Sequence, residues 1–285
     1  MNATAPNPLD RSEYIEQAYF YGLLEQRIVQ EVPIQELLEQ VHYEIAANTR
    51  LPMAVGFLLT ELKHLGIMAP AMSRLGHYFT PFQTYLITEA EREDGKFDMR
   101  VALRILQAEA KYRVAGATCE GLFFFQFEAI CRNRLRYDPG LTAVAGDPSF
   151  GASWRDGVLQ LRREIGLIDL ADFLFLHSEE YRQKLIAAGQ SLERRGPFIF
   201  GTQEGRIALA CRRRDPLYLF GALQRHLGYP AVPRVVPVDR TADVIPQLFR
   251  KIEQLEQRIK LMEQENRTGI DITKFYGKSA RDRGH

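Results

Sequence analysis

The sequence feature that most constrains the fold is a heptad repeat near the end of the chain. Its apolar residues alternate at steps of three and four, the spacing of a coiled-coil seam. The seam consists of Ile245, Leu248, Ile252, Leu255, Ile259 and Met262. In a parallel pair, Lys251 faces Glu256 of the second helix. Arg258 faces Glu263 in the same way. Residues 243–267 are therefore predicted to form a coiled coil that joins two copies of the chain.

A second interpretation of this segment stays open, because the same apolar face could pack on the chain's own core. The repeat covers only three heptads, and so short a coiled coil is marginal by itself. After Arg250 the apolar stripe is narrow and is flanked by charges of matched sign. A helix packed on a globular core usually has a wider stripe, so the pattern favours self-association.

Length and composition predict a globular protein with one large domain or two modest ones. The 285 residues are 46% hydrophobic, which is enough to build substantial cores. A formal net charge of +1 provides no general attraction to nucleic acid or to an anionic membrane. We expect neither partner, and the sequence contains no predicted signal peptide or membrane span. The three cysteines lack C-x-x-C spacing, so reduced thiols and a cytoplasmic location are expected.

The pattern of apolar residues changes near residue 137 and divides the chain. Residues 1–9 are predicted to be a disordered tail, and residues 10–136 an all-helical domain with short loops. One of its helices is predicted to begin at Thr80-Pro81, with threonine as the N-cap and proline in the first turn. An α/β domain is predicted for residues 141–240. The coiled coil follows, and residues 268–285 form a polar tail.

The α/β prediction depends on short apolar runs separated by helical patterns. The runs cover residues 141–145, 171–176, 197–201, 206–211 and 232–238. From residue 171 onward, their order with the intervening helices is β-α-β-β-α-β, the split βαβ arrangement. Gln203-Glu204-Gly205 is interpreted as the tip of a hairpin. The predicted fold class is therefore α+β.

Two Glu-x-x-His pairs are the strongest candidates for metal ligands. Glu39 and His42 share one helix face, and Glu61 and His64 share another. Carboxylate-bridged di-metal sites in helical bundles use this spacing twice, with further glutamates from other helices. Here the two pairs lie on consecutive helices, and the first pair flanks the apolar row. A complete set of ligands is not evident, so we expect no metal and no cofactor.

Two features are candidates for anion binding. The loop 146–153 contains Gly151 and is followed by a helix, with Ser153 as the predicted N-cap. Arg212 and Arg214 follow a predicted strand and would point to the same side, where they could bind a phosphate or a carboxylate. Both features also suit ordinary surface structure, namely a capped loop and a solvated edge.

Together these patterns predict a non-catalytic protein, because the sequence contains no complete set of catalytic residues. We expect it to self-associate through residues 243–267 and to bind another protein with its helical domain. The alternative is a metal-dependent enzyme or a small-molecule binder that uses the Glu-x-x-His pairs or the loop 146–153. The phenylalanines of 123–127 are interpreted as core, since a helix that is apolar all round is buried.

Overall fold

The computed structural model describes residues 9–30, 33–92, 94–95, 97–190 and 197–234, together with Ile259. In this part of the chain it contains thirteen helices and no sheet, with only two isolated β-bridges. The protein is helical, so the predicted α+β class with a split βαβ core is wrong. No helix among the described residues is long and apolar enough to cross a membrane.

The helices are short and follow one another closely. The first seven, α1 to α7, are Arg11–Ile28, Ile34–Glu44, Leu51–Leu65, Ala69–Arg74, Pro81–Glu91, Met99–Val114 and Cys119–Arg132. The other six, α8 to α13, are Tyr137–Ala145, Ala152–Glu164, Leu170–Leu176, Glu179–Ala187, Thr202–Ala210 and Pro216–Leu227. The helix predicted at Thr80-Pro81 is confirmed as α5.

Three of the five predicted strands are helical. Residues 141–145 belong to α8, residues 171–176 to α10 and residues 206–211 to α12 and the turn after it. A short apolar run has the same pattern in a buried helix and in a buried strand, so flanking residues and packing decide. The Asp169 carboxylate accepts from the backbone N–H of Ala171 and thereby caps α10.

The run 197–201, the described part of the run 232–238 and the predicted hairpin also contain no regular strand. Residues 197–201 contain one bridge, from Phe200 to Ser178, and residues 232–234 have no regular structure. Gln203-Glu204-Gly205 is part of the first turns of α12. A Cβ on Gly205 would lie 2.3 Å from the Ser178 hydroxyl oxygen, so this glycine permits close packing rather than a turn.

One hydrophobic cluster extends from α1 to the segment after α13, and α7 contributes much of it. The rings of Phe123 and Phe124 lie 5.7 and 5.5 Å from the ring of Phe200, between centroids. Phe127 lies 5.9 Å from Phe220 in the same measure. Helices before and after residues 136–141 therefore share a core, and the predicted division of the chain at this point stays a prediction.

The chain divides into two units, Met1–Val235 and Val236–His285. All the helices named above lie in the first unit. Of the second unit only Ile259 is described, in helical conformation and with its side chain 52% exposed. Apart from Ile259, the predicted coiled coil and the polar tail lie outside the described residues. Residues 1–8 of the predicted N-terminal tail lie outside them as well.

Candidate functional site

A cavity of about 520 Å³ opens among α7, α9, α10, α13 and the start of α8. Sites for small molecules typically measure roughly 300–1,000 Å³ and are lined mostly by apolar side chains, with a few polar groups. This cavity has both properties. It is therefore the candidate functional site of the described residues.

Each helix lines the cavity with residues three or four positions apart, which lie on one helix face. Helix α7 contributes Phe127 and Cys131 in this way, and α9 contributes Leu161 together with its C-cap residue Ile165. Two further pairs come from α10 and α13; they are Leu170 with Phe173 and Leu217 with Phe220. The apolar faces that build the core thus continue into the wall of the cavity.

The loop between α9 and α10 forms one side of the opening. Gly166 has a φ of +85°, in the left-handed region that favours glycine, and it follows Ile165, the C-cap of α9. The chain then turns back on itself, and Ile165 and Ile168 form a β-bridge. This turn brings Ile168 into the cavity wall although it lies beyond the helix.

Exposure increases from the floor of the cavity to its mouth. Phe127, Phe173 and Phe220 are almost completely buried. At the mouth, Ile168 and Leu217 are 39% and 50% exposed. Their neighbours Leu167 and Tyr218, which do not line the cavity, are 80% and 69% exposed. Exposed apolar side chains clustered at a cavity are typical of a binding site.

Two titratable groups in the wall are neutral at physiological pH. The Cys131 thiol and the Tyr137 hydroxyl lie close enough for each to affect the pKa of the other. Burial raises the pKa of Cys131 to about 12. Burial and the neighbouring thiol raise the pKa of Tyr137 to about 12 as well. Because the thiolate is the reactive form of cysteine, Cys131 is not an activated nucleophile.

The one arginine that lines the cavity is already bound to a carboxylate. The Arg132 Nε donates to the Glu128 carboxylate one helical turn earlier. The other Glu128 oxygen accepts from the Tyr229 hydroxyl at 2.7 Å. Arg132 thus serves to neutralise a buried acid at the edge of the cavity.

Two carboxylates at the mouth have no such partner. Glu164 accepts one hydrogen bond from Gln160, at 2.9 Å, and Asp215 accepts one from the backbone N–H of Leu217, at 2.8 Å. Neither forms an ion pair with another described residue. The mouth therefore has negative charge that the described part of the chain does not balance.

A second polar centre lies in the core, away from this cavity. Arg113 donates to Glu109 at 2.6 Å and to Asp147 at 2.5 Å, and Gln126 donates to both carboxylates. Arg113 also donates to the Ser149 hydroxyl at 2.9 Å. These contacts fix the start of the loop 146–153 to α6 and α7, so the cluster has a structural role.

The two buried acids of this cluster, Glu109 and Asp147, have pKa values shifted in opposite directions. Burial raises the pKa of Glu109, and the attraction of Arg113 opposes it only in part. At Asp147 the same effect of burial is outweighed by the charge and hydrogen bonds of Arg113, so its pKa is lowered. Asp147 is therefore the principal counter-ion of Arg113.

The predicted anion-binding residues lie apart from the cavity wall. Gly151, rather than Ser153, is the N-cap of α9, and Ser153 is exposed in its first turn. Arg212 donates to Asp172, and Arg214 is exposed in the turn after α12. The prediction that the two arginines point to one side assumed a strand, which is absent. Anion binding by these residues stays a prediction.

The Glu-x-x-His pairs lie on α2 and α3, which pack against each other. Glu39 accepts from Lys63 at 2.6 Å, and Glu61 accepts from Arg74 at 2.7 Å. His42 and His64 are exposed on the same helices as their glutamates. Among the described residues, no group of three or more histidine, cysteine or acidic side chains is placed to hold a metal ion.

Little in the sequence indicates the cavity. The prediction that Phe127 lies in the core is correct, but the residue also forms part of the cavity wall. Two pairs of apolar residues next to helix ends are the local signals. Leu167-Ile168 follow the glycine after α9, and Leu217-Tyr218 follow the proline that begins α13. Such pairs are buried in most folds, and their exposure here becomes visible only in three dimensions.

Comparisons with known proteins do not indicate a function. No protein-family model matches the chain, and no curated protein or solved structure matches it.

Proposed function

We propose that the protein is a non-catalytic binding protein that holds the apolar part of a small molecule in the cavity between α7, α9, α10 and α13. The observation that carries this proposal is the cavity itself, about 520 Å³ in volume and walled by apolar side chains. Moving apolar surface of a ligand from water into such a wall contributes about 25 cal/mol for each Å².

The chemistry of the wall supports binding rather than catalysis. Catalytic acids, bases and nucleophiles need a pKa near the working pH. Cys131 and Tyr137 instead have pKa values raised to about 12, so both keep their protons. They offer weak hydrogen bonds to a ligand without reacting with it.

Partners and location remain proposals from the sequence. The heptad of 243–267 supports a homodimer, and exposed Leu167 and Tyr218 beside the cavity favour an additional protein partner. A cytoplasmic location is supported by the three cysteines, which are all free thiols.

Binding in the cavity is tested with a neutral probe, 4-phenylbutan-1-ol, which has an apolar ring and chain and no charge. The full chain is labelled at its isoleucine and leucine methyl groups and titrated while its NMR spectrum is recorded. We expect the methyl resonances of Ile165, Ile168 and Leu170 to shift, because these residues line the cavity.

A matched pair of variants locates the site. Ile168→Trp places a large ring at the mouth and should weaken probe binding by about tenfold or more, which corresponds to about 1.4 kcal/mol. Leu167→Trp makes the same change at the neighbouring residue, which does not line the cavity, and should bind like the wild type. Leu217→Trp tests the opposite edge independently if the first variant has a lowered melting temperature. Equal binding by all four proteins would show that the cavity is not the site.

A further inference from the structure

The charges at the cavity mouth identify the chemical class of the ligand. We infer that it carries a cationic group beside its apolar body, as an alkyl or arylalkyl amine does. This inference depends on the proposed function, since it concerns the occupant of the same cavity. It rests on the carboxylates, the helix terminus and the arginines that surround the opening.

Two carboxylate oxygens are available to such a group. In Glu164, one oxygen accepts from Gln160, and the other has no hydrogen-bond partner among the described residues. In Asp215, one oxygen accepts from Leu217, and the other is likewise without a described partner. A protonated amine has up to three donors and a positive charge, which suit an acceptor oxygen of either carboxylate.

The start of α13, which also lines the mouth, is closed to an anionic group. Anions bind helix N-termini through free backbone N–H groups. Here Pro216 has no N–H, and the N–H of Leu217 donates to the Asp215 side chain. The N–H of Tyr218 donates to the Asp215 carbonyl at 3.0 Å. The usual site for a carboxylate or phosphate is therefore already occupied by Asp215.

The nearby arginines do not reverse this preference. Arg132, the only arginine that lines the cavity, is bound to Glu128. Arg212 is bound to Asp172, and neither Arg213 nor Arg214 lines the cavity. The net charge of the lining side chains is negative, because Arg132 opposes the two acids Glu164 and Asp215.

Three probes that share a phenylbutyl body and differ in the terminal group test the inference. They are 4-phenylbutylamine, 4-phenylbutan-1-ol and 4-phenylbutyrate, each titrated into the full chain by calorimetry at low salt. We expect the amine to bind about three to ten times more tightly than the alcohol, and the carboxylate to bind most weakly. The advantage of the amine should decrease as salt is added, because ions screen exposed charges.

The double variant Glu164→Gln and Asp215→Asn tests whether these two side chains cause the preference. Asparagine caps a helix about as well as aspartate, so α13 should stay folded. The variant should bind the amine and the alcohol with similar affinity. Glu179→Gln, which removes a half-buried carboxylate from α11 that does not line the cavity, is the control and should leave the preference unchanged.

The possible results separate this inference from the proposed function. If the alcohol binds in the cavity but the amine has no advantage, or the carboxylate binds more tightly, the inference is wrong and the proposed function stands. If none of the three probes binds, both are wrong. If the amine advantage survives in the double variant, the charge that favours it lies elsewhere and the inference is again wrong.

Discussion

Arg113, buried between Glu109 and Asp147, shows how strongly one residue depends on its partners in this fold. A buried charge without a counter-ion is very costly, so the guanidinium requires at least one ionised carboxylate. Burial alone would lower the pKa of Arg113, but the two carboxylates raise it above its usual value. The pKa of Asp147 is lowered and that of Glu109 is raised, so Asp147 is the acid expected to carry the balancing charge.

We therefore expect the two acids of the cluster to respond differently to amide substitution. Asp147→Asn should destabilise the protein by about 3–5 kcal/mol, the usual cost of leaving a buried charge unpaired. Glu109→Gln should change stability by only about 1 kcal/mol, because it keeps the oxygen that accepts from Arg113 and removes a charge that burial disfavours. Urea unfolding at neutral pH measures both values.

The free energy of unfolding should depend on pH through the charge of Asp147. The pKa of Asp147 is lower in the folded than in the unfolded chain, so its stabilisation is complete above about pH 4 and is lost as the pH falls through the folded pKa. The cost of Asp147→Asn should accordingly shrink in acid. A cost that stays constant from neutral pH to acid would mean that Asp147 does not stabilise the fold through its charge.

At the scale of single elements, α5 has the most complete start of the helices. The Thr80 hydroxyl accepts from the Gln83 N–H at 3.2 Å, and the Gln83 side chain accepts from the Thr80 N–H at 3.1 Å. Gln83 also donates to Gln17 in α1 at 3.1 Å, so this capping box links two helices. Thr80 and Gln83 are both buried, and water cannot replace the lost bonds easily.

Thr80→Ala should lower the free energy of unfolding by about 1–2 kcal/mol, in the upper half of the range for N-cap removal. The reason is that a buried backbone N–H would lose its acceptor. Asp10→Ala is a suitable control, since Asp10 is the N-cap of α1 and its side chain forms no capping bond. Equal effects of the two substitutions in thermal unfolding would contradict the argument.

For the whole molecule, the principal prediction is assembly through residues 243–267. Ile252→Asp with Ile259→Asp places charges in the apolar seam, where unpaired burial is costly, and should convert a dimer to a monomer. Gln254→Asp with Gln257→Asp adds the same charges to the outer face and should leave the dimer intact. Light scattering at micromolar concentration measures the mass of each protein.

Two results would contradict self-association through this segment. A wild-type protein that is monomeric under these conditions forms no stable coiled coil. A seam variant that loses its cooperative thermal transition would instead place the segment on the chain's own core, which is the interpretation left open by the sequence.

The sequence by itself determined the helices of the first 134 residues, because their signals are local. Apolar spacing near 3.6 residues and start signals such as Thr80-Pro81 act within one or two turns of chain. The all-round apolar character of residues 123–127 likewise predicted that the phenylalanines of α7 are buried in the core.

Only the tertiary structure decided the runs 141–145, 171–176 and 206–211, which are helical although they were predicted as strands. Five or six apolar residues fit a buried helix or a buried strand equally well, and the choice depends on which surface covers them. The cavity also depends on the tertiary packing of the helices. Its wall combines residues as distant in the sequence as Phe127 and Phe220. The apolar spacing and the charges within one segment do not indicate which other segment will pack beside it.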